Sequence, residues 1–166
     1  TCKVSSRLLL MSVQKRYIEG LDFFRLVEFF KDKDNHLRCT ITPNEEERMD
    51  GDSRLYIYAH YVEDELVYIG ESSDILKRRM NYYCSHEGIT NVRVRKFFNE
   101  QFKKKPTSDI CTFIHMPEQI FISESITINP YVAIEQTLIN ILKPKLNRKD
   151  VLKYGPTRKK PRKYRR

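Results

Sequence analysis

No apolar run in this chain is long enough to span a bilayer. The densest cluster near the start, Leu8-Leu9-Leu10-Met11, is too short for a membrane span or for the core of a signal peptide. The four cysteines, Cys2, Cys39, Cys84 and Cys111, contain no Cys-x-x-Cys pair, so they read as free thiols in a reducing cytosol rather than as a disulfide framework. His36 and Cys39 have a ligand-like spacing, but no second pair completes a zinc site. No internal repeat is visible. A membrane protein and a disulfide scaffold are thereby excluded, and 166 residues suit one domain with a real core and an added arm.

A net positive charge is also missing from most of the chain. The formal net charge is +9, yet residues 1–142 sum to −2 and the last 24 residues, from Lys143 on, sum to +11. A basic tail of that density is expected to meet a polyanion, with Arg158, Lys159, Lys160, Arg162 and Lys163 at its centre. A solvated tail is the plain alternative.

What is present divides into three parts: an N-terminal extension at 1–53, a central domain at 54–147 and the tail at 148–166. In the extension, Phe23, Leu26, Val27 and Phe30 recur at i, i+3, i+4 and i+7, which predicts a helix over 21–31 capped by Asp22. A short strand is expected at 37–41. In the central domain, Leu55, Ile57 and Ala59 alternate with Tyr56, Tyr58 and His60, which predicts a strand. Glu63-Asp64 forms a hairpin tip, and Leu66 to Ile69 return to Gly70, expected at a positive-φ turn. Ser72 or Ser73 then caps a helix carrying Leu76, Met80 and Tyr83 on one side and Arg78, Arg79 and Tyr82 on another. A further helix runs from Asn91 to Lys104, a central strand from Ile110 to Met116, an extended pair around Ser123-Glu-Ser, and a helix from Pro130 to Leu142. The fold class is α/β (α+β): a small antiparallel sheet of about three strands flanked by helices.

Leu55-Tyr56, then Tyr68-Ile69-Gly70, then Arg78 eight residues later, then Glu135 in a helix, then Pro144-Lys-Leu-Asn147, is an ordered set that resembles the GIY-YIG endonucleases. The resemblance spans about residues 54–147. Arg54 stands where the first motif has glycine, and Tyr82 where many members have histidine. The Tyr56 to Tyr68 spacing is one residue long, so Tyr58 rivals Tyr56 for the first tyrosine.

The resemblance implies hydrolysis of DNA phosphodiester bonds with a divalent cation, Mg2+ or Mn2+, held by Glu135. It implies Tyr56 as general base, Tyr68 and Tyr82 as hydroxyls on the water or the phosphate, and Arg78 as the phosphate clamp. Arg is suited to that clamp because it stays charged and donates two hydrogen bonds at once. Lys77, Arg79, Lys103 and Lys104 are candidate contacts to backbone phosphates. Gly70 and Asn147 are expected to be structural. The small size most resembles site-specific restriction members, which implies a homodimer on double-stranded DNA in a prokaryotic cytoplasm. A homing or repair nuclease and a non-catalytic binding module are the alternatives.

Overall fold

The computed structural model describes residues 14–42 and 55–147; the basic tail and Arg54 lie outside the described residues. Among these, the elements in chain order are β1 (Lys15–Ile18), β2 (Leu21–Lys31), β3 (Leu37–Ile41), β4 (Tyr56–Val62), β5 (Glu65–Ser72), α1 (Leu76–Ser85), α2 (Ile89–Lys104), β6 (Ile110–His115), β7 (Ile120–Ser123), β8 (Ile126–Ile128) and α3 (Tyr131–Leu142). No helix among them is long and apolar enough to cross a membrane.

The central sheet has six antiparallel strands, in the order β1-β2-β6-β4-β5, with β3 also on β2. The expected sheet of about three strands is therefore too small. The difference comes from residues 15–41, expected as a docked extension: their strands complete the sheet. Residues 21–31, expected as a helix, are its long strand β2. A bulge at Leu26 explains the misleading period. Arg25 pairs with Phe113 but Val27 pairs with Thr112, so the alternation slips by one residue. Phe23 then packs on one face of the sheet, while Leu26, Val27 and Phe29 pack on the other. That phase change imitates a helical stripe.

β4 and β5 form the expected hairpin, with Glu63 in the left-handed region (φ 53°) at its tip. β6 is central, between β2 and β4, as its apolar run suggests. The two faces of the sheet carry separate cores. Tyr56, Tyr58, Phe29 and Ile114 lie under Leu76, Met80 and Tyr83 of α1 and Val94 and Phe98 of α2. Ile57, Ala59, Ile69 and Phe113 lie under Leu138 of α3, with Ile134 and Leu142 beside it. Full burial of each large apolar side chain contributes about 1.5–3 kcal/mol, so the two layers together lock the sheet between its helices.

The far edge of the sheet, β5, is tied off by the segment after α3. Lys143 takes a left-handed conformation (φ 47°) and ends that helix before Pro144. The Leu146 N–H then donates to the Val67 carbonyl at 2.9 Å. Asn147 accepts from the Ile69 N–H at 2.9 Å and donates to the Ile69 carbonyl at 2.7 Å. Leu146 and Asn147 thus pair along an edge that would otherwise be open.

Candidate active site

Three tyrosines and one arginine converge between the sheet and α1. Tyr58 sits opposite Gly70 in the β4–β5 ladder, and Tyr68 sits opposite His60 on the same face. The Tyr58 and Tyr83 hydroxyls are 2.7 Å apart. One guanidinium nitrogen of Arg79 donates to both, at 2.6 and 2.8 Å, and the other donates to Asn91 Oδ1 at 3.0 Å. Helical spacing explains the geometry. Arg79 and Tyr83 are four residues apart, on one side of α1, and Asn91 reaches them from the first turn of α2.

Arg78 points elsewhere. It is exposed, one residue round the helix, and pairs with Asp74 at the entry to α1. Lys77 is exposed on the same surface. Tyr82 is half-buried with its ring 4.9 Å from His86, outside the tyrosine cluster. Lys103 and Lys104 are exposed in the last turn of α2. Tyr56 is fully buried on the cluster's face, its ring 6.2 Å from Tyr58, but its hydroxyl donates to no side chain of the cluster.

Gly70 does not adopt the positive φ expected of it; among the described glycines only Gly20 does. Its lack of a side chain matters for another reason. A Cβ there would overlap the hydroxyl and ring of Tyr58. Gly70 is the floor on which the Tyr58 ring lies. Sequence spacing contains a trace of this, because Tyr58 precedes Tyr68 by ten residues and Gly70 by twelve across a two-residue tip with one bulge at His60–Tyr61.

The electrostatics of the cluster follow from burial. It drives the Tyr58 and Tyr83 phenols well above their usual pKa, with Arg79 acting in the opposite direction. Tyr56 is pushed up to about 12, mainly by burial. His60, beneath the tyrosines, is fully buried, and burial holds it down to about 3, so it is neutral; its Nδ1 is 2.8 Å from Thr112 Oγ1. Sequence reasoning overlooked Tyr83 and His60, since both read as ordinary packing residues.

Glu135 comes from α3, on the other face. It is 9% exposed, and its Oε2 accepts from Gln136 Nε2 at 3.1 Å. Burial first, and the Glu71 carboxylate second, push its pKa up to about 7. Glu71 follows Gly70 on β5 and faces α3; it too is raised by burial, against the pull of Arg79. Two half-desolvated carboxylates that repel each other suit a hard divalent cation, which takes oxygen ligands and would relieve both. Another acidic group, Asp32, Asp34 and His36, lies at the β2–β3 turn. Asp32 there is already engaged by the Asp34 and His36 N–H groups and by Arg38.

A family model described as the GIY-YIG catalytic domain matches residues 54–148. Among solved structures, bacteriophage T4 EndoII, in a mutant form, superposes with a TM-score of 0.57 at 22% identity, covering 76% of this chain and 91% of its own. That likeness shows a shared fold. No curated protein sequence matches the chain. The motif order, the hairpin with its tyrosine pair, the acidic helix and the family match over more than half of the sequence agree: the chain belongs to the GIY-YIG family and is a GIY-YIG-type DNA endonuclease.

Proposed function

We propose that the protein is a divalent-metal-dependent, site-specific endonuclease of restriction type, working on double-stranded DNA as a homodimer. We assign the first tyrosine of the motif to Tyr58, the arginine to Arg79 and the helix-borne hydroxyl to Tyr83. The observation that carries this assignment is the Arg79 guanidinium bridging the Tyr58 and Tyr83 hydroxyls. Tyr56 and Arg78, to which the resemblance gave these roles, have no such partner in the cluster.

Cleavage requires a deprotonated nucleophile, a counter-charge on the phosphate and stabilisation of the leaving oxygen. For Tyr58 to act as base, one proton must first leave the Tyr58–Tyr83 pair to solvent. The Tyr83 proton is then shared across 2.7 Å, and Arg79 holds the phenolate–phenol pair by charge and two hydrogen bonds. The phenolate takes the proton of the attacking water. Tyr68 orients the water from the same face. Glu135, with Glu71 beside it, would hold Mg2+ or Mn2+, which when bound supplies Lewis-acid stabilisation of the leaving 3′ oxygen. Lys77 and Arg78 lie on the exposed side of α1, where they can meet backbone phosphates.

The test is incubation of a defined plasmid with the full chain, in Mg2+ and in chelator. Discrete Mg2+-dependent fragments support a site-specific enzyme. Smears indicate a non-specific nuclease, and a mobility shift without cleavage indicates a binding module.

A further inference from the structure

β7 and β8 form a two-stranded sheet apart from the main one, with Ile120 opposite Ile128 and Phe121 opposite Thr127. All seven of their residues are exposed. Five are large and apolar: Ile120 at 52% exposure, Phe121 at 76%, Ile122 at 59%, Ile126 at 51% and Ile128 at 46%. An isolated hairpin is marginal in water, and an apolar one with open edges invites a further strand. Beside it lies a cleft of about 1090 Å³, lined by Tyr17, Leu21, Phe24, Met116, Ile120 and Ile134. Tyr17, Phe24 and Met116 in that lining are themselves 73%, 41% and 53% exposed.

We propose that this hairpin and cleft are the surface on which a second copy of the chain docks, the two hairpins lying against each other about a two-fold axis and each covering the other's cleft. The charge argues against a polyanion. Residues 116–133 contain Glu118 and Glu124 and no lysine or arginine, in a chain whose net charge is +9. DNA and acidic membranes recruit cations; the hairpin has none, and Lys15, whose Nζ lies 4.5 Å from the Tyr17 ring at the cleft, is already paired with Asp22. An apolar arm beside an apolar cleft on one chain is self-complementary, which is what a two-fold interface requires. The size is also right. Eight half-exposed apolar side chains amount to roughly 700 Å² per copy, close to the ~800 Å² that each partner buries in a standard interface. The inference deepens the homodimer of the proposed function by naming its interface.

The experiment is sedimentation of the full chain across the micromolar range, without DNA or metal, beside a Phe121→Ser/Ile122→Ser variant. Neither side chain belongs to the core, and circular dichroism checks that the variant folds. Should that variant misfold, Ile126→Lys gives the same readout. The expected result is the mass of two chains for the wild type and of one for the variant, with self-association weakened about 30-fold or more, as for loss of a central aromatic anchor. A monomeric wild type overturns the proposal, and so does a variant that stays dimeric. A monomeric wild type whose DNA affinity falls in the variant assigns the hairpin to nucleic acid instead. The assembly readout uses no DNA. A hairpin-dependent dimer that does not cut at defined sites therefore leaves this interface standing while the restriction-type reading fails.

Discussion

A buried phenol becomes useful as a base only when something nearby makes its anion tolerable, and in the proposed assignment of Tyr58 that group is Arg79. Tyr58→Phe keeps the ring over Gly70 and removes the oxygen. Single-turnover cleavage is expected to slow by about 10²–10⁴-fold with DNA affinity little changed, while Tyr56→Phe stays within a few-fold of wild type. The reverse pattern would return the role to Tyr56. The same contrast separates the arginines. Arg79→Lys replaces a planar fork by a point charge and is expected to lose most of the rate, whereas Arg78→Ala breaks an exposed ion pair and is expected to stay within a few-fold of wild type. Glu135 makes a pH prediction. Its pKa of about 7 lies above the usual carboxylate value of 4.5, so the folded state holds a proton that the unfolded chain has released. The sign is destabilising. No penalty exists below pH 4.5; it grows as pH rises and is complete above pH 7. Glu135→Gln is expected to match wild type at pH 4 and to exceed it by about 1–2 kcal/mol at pH 8 in chelator. Added Mg2+ should stabilise the wild type and leave the variant unchanged, by denaturant titration. A variant no more stable than wild type at pH 8 would show that solvent already relieves the carboxylate.

At the scale of elements, the β4–β5 hairpin matters because it is clamped on both sides. Gly70→Ala forces a methyl group into Tyr58, and overpacking of this kind costs about 1–3 kcal/mol. Cleavage should fall along with melting temperature, because the Tyr58 ring cannot stay where Arg79 meets it. A fully active, equally stable Gly70→Ala protein would remove the glycine from the argument. Asn147 is the clamp along the edge. Asn147→Ala loses both hydrogen bonds to Ile69 and is expected to destabilise by about 1–2 kcal/mol. The hairpin and the acidic helix were legible in sequence because β4 keeps a period of two and the helix a period of 3.6, and the hairpin's one bulge falls near its tip. β2 was not, because one bulged residue exchanges its two faces and leaves i, i+3, i+4 spacing in a strand.

Across the whole molecule, charge and apolar surface are divided. The tail carries the positive excess, and among the described residues the hairpin carries five exposed large apolar side chains close together. Deleting residues 158–166 removes seven cations. If they reach phosphates, affinity falls on every DNA sequence and the salt dependence flattens by up to about 0.9 per lost contact, while site choice survives. An unchanged salt slope would mark the tail as a solvated end.

By itself the sequence determined the family, the tyrosine-bearing hairpin, the acidic helix and the asymmetry of charge. These are local or linear properties: a motif order, a period of two, a period of 3.6, a sum over a segment. Tertiary structure alone decided which member of each pair joins the cluster. Tyr56 and Tyr58 share one strand face, and Arg78 and Arg79 are neighbours on one helix, so no periodicity separates their roles. The separation comes from the contact between α1 and the sheet, which buries Arg79 against Tyr58 and Tyr83 and leaves Arg78 to water and Asp74. Packing between elements distant in sequence set that register, and a charge buried among hydroxyls is stable only where each of its N–H groups finds an acceptor.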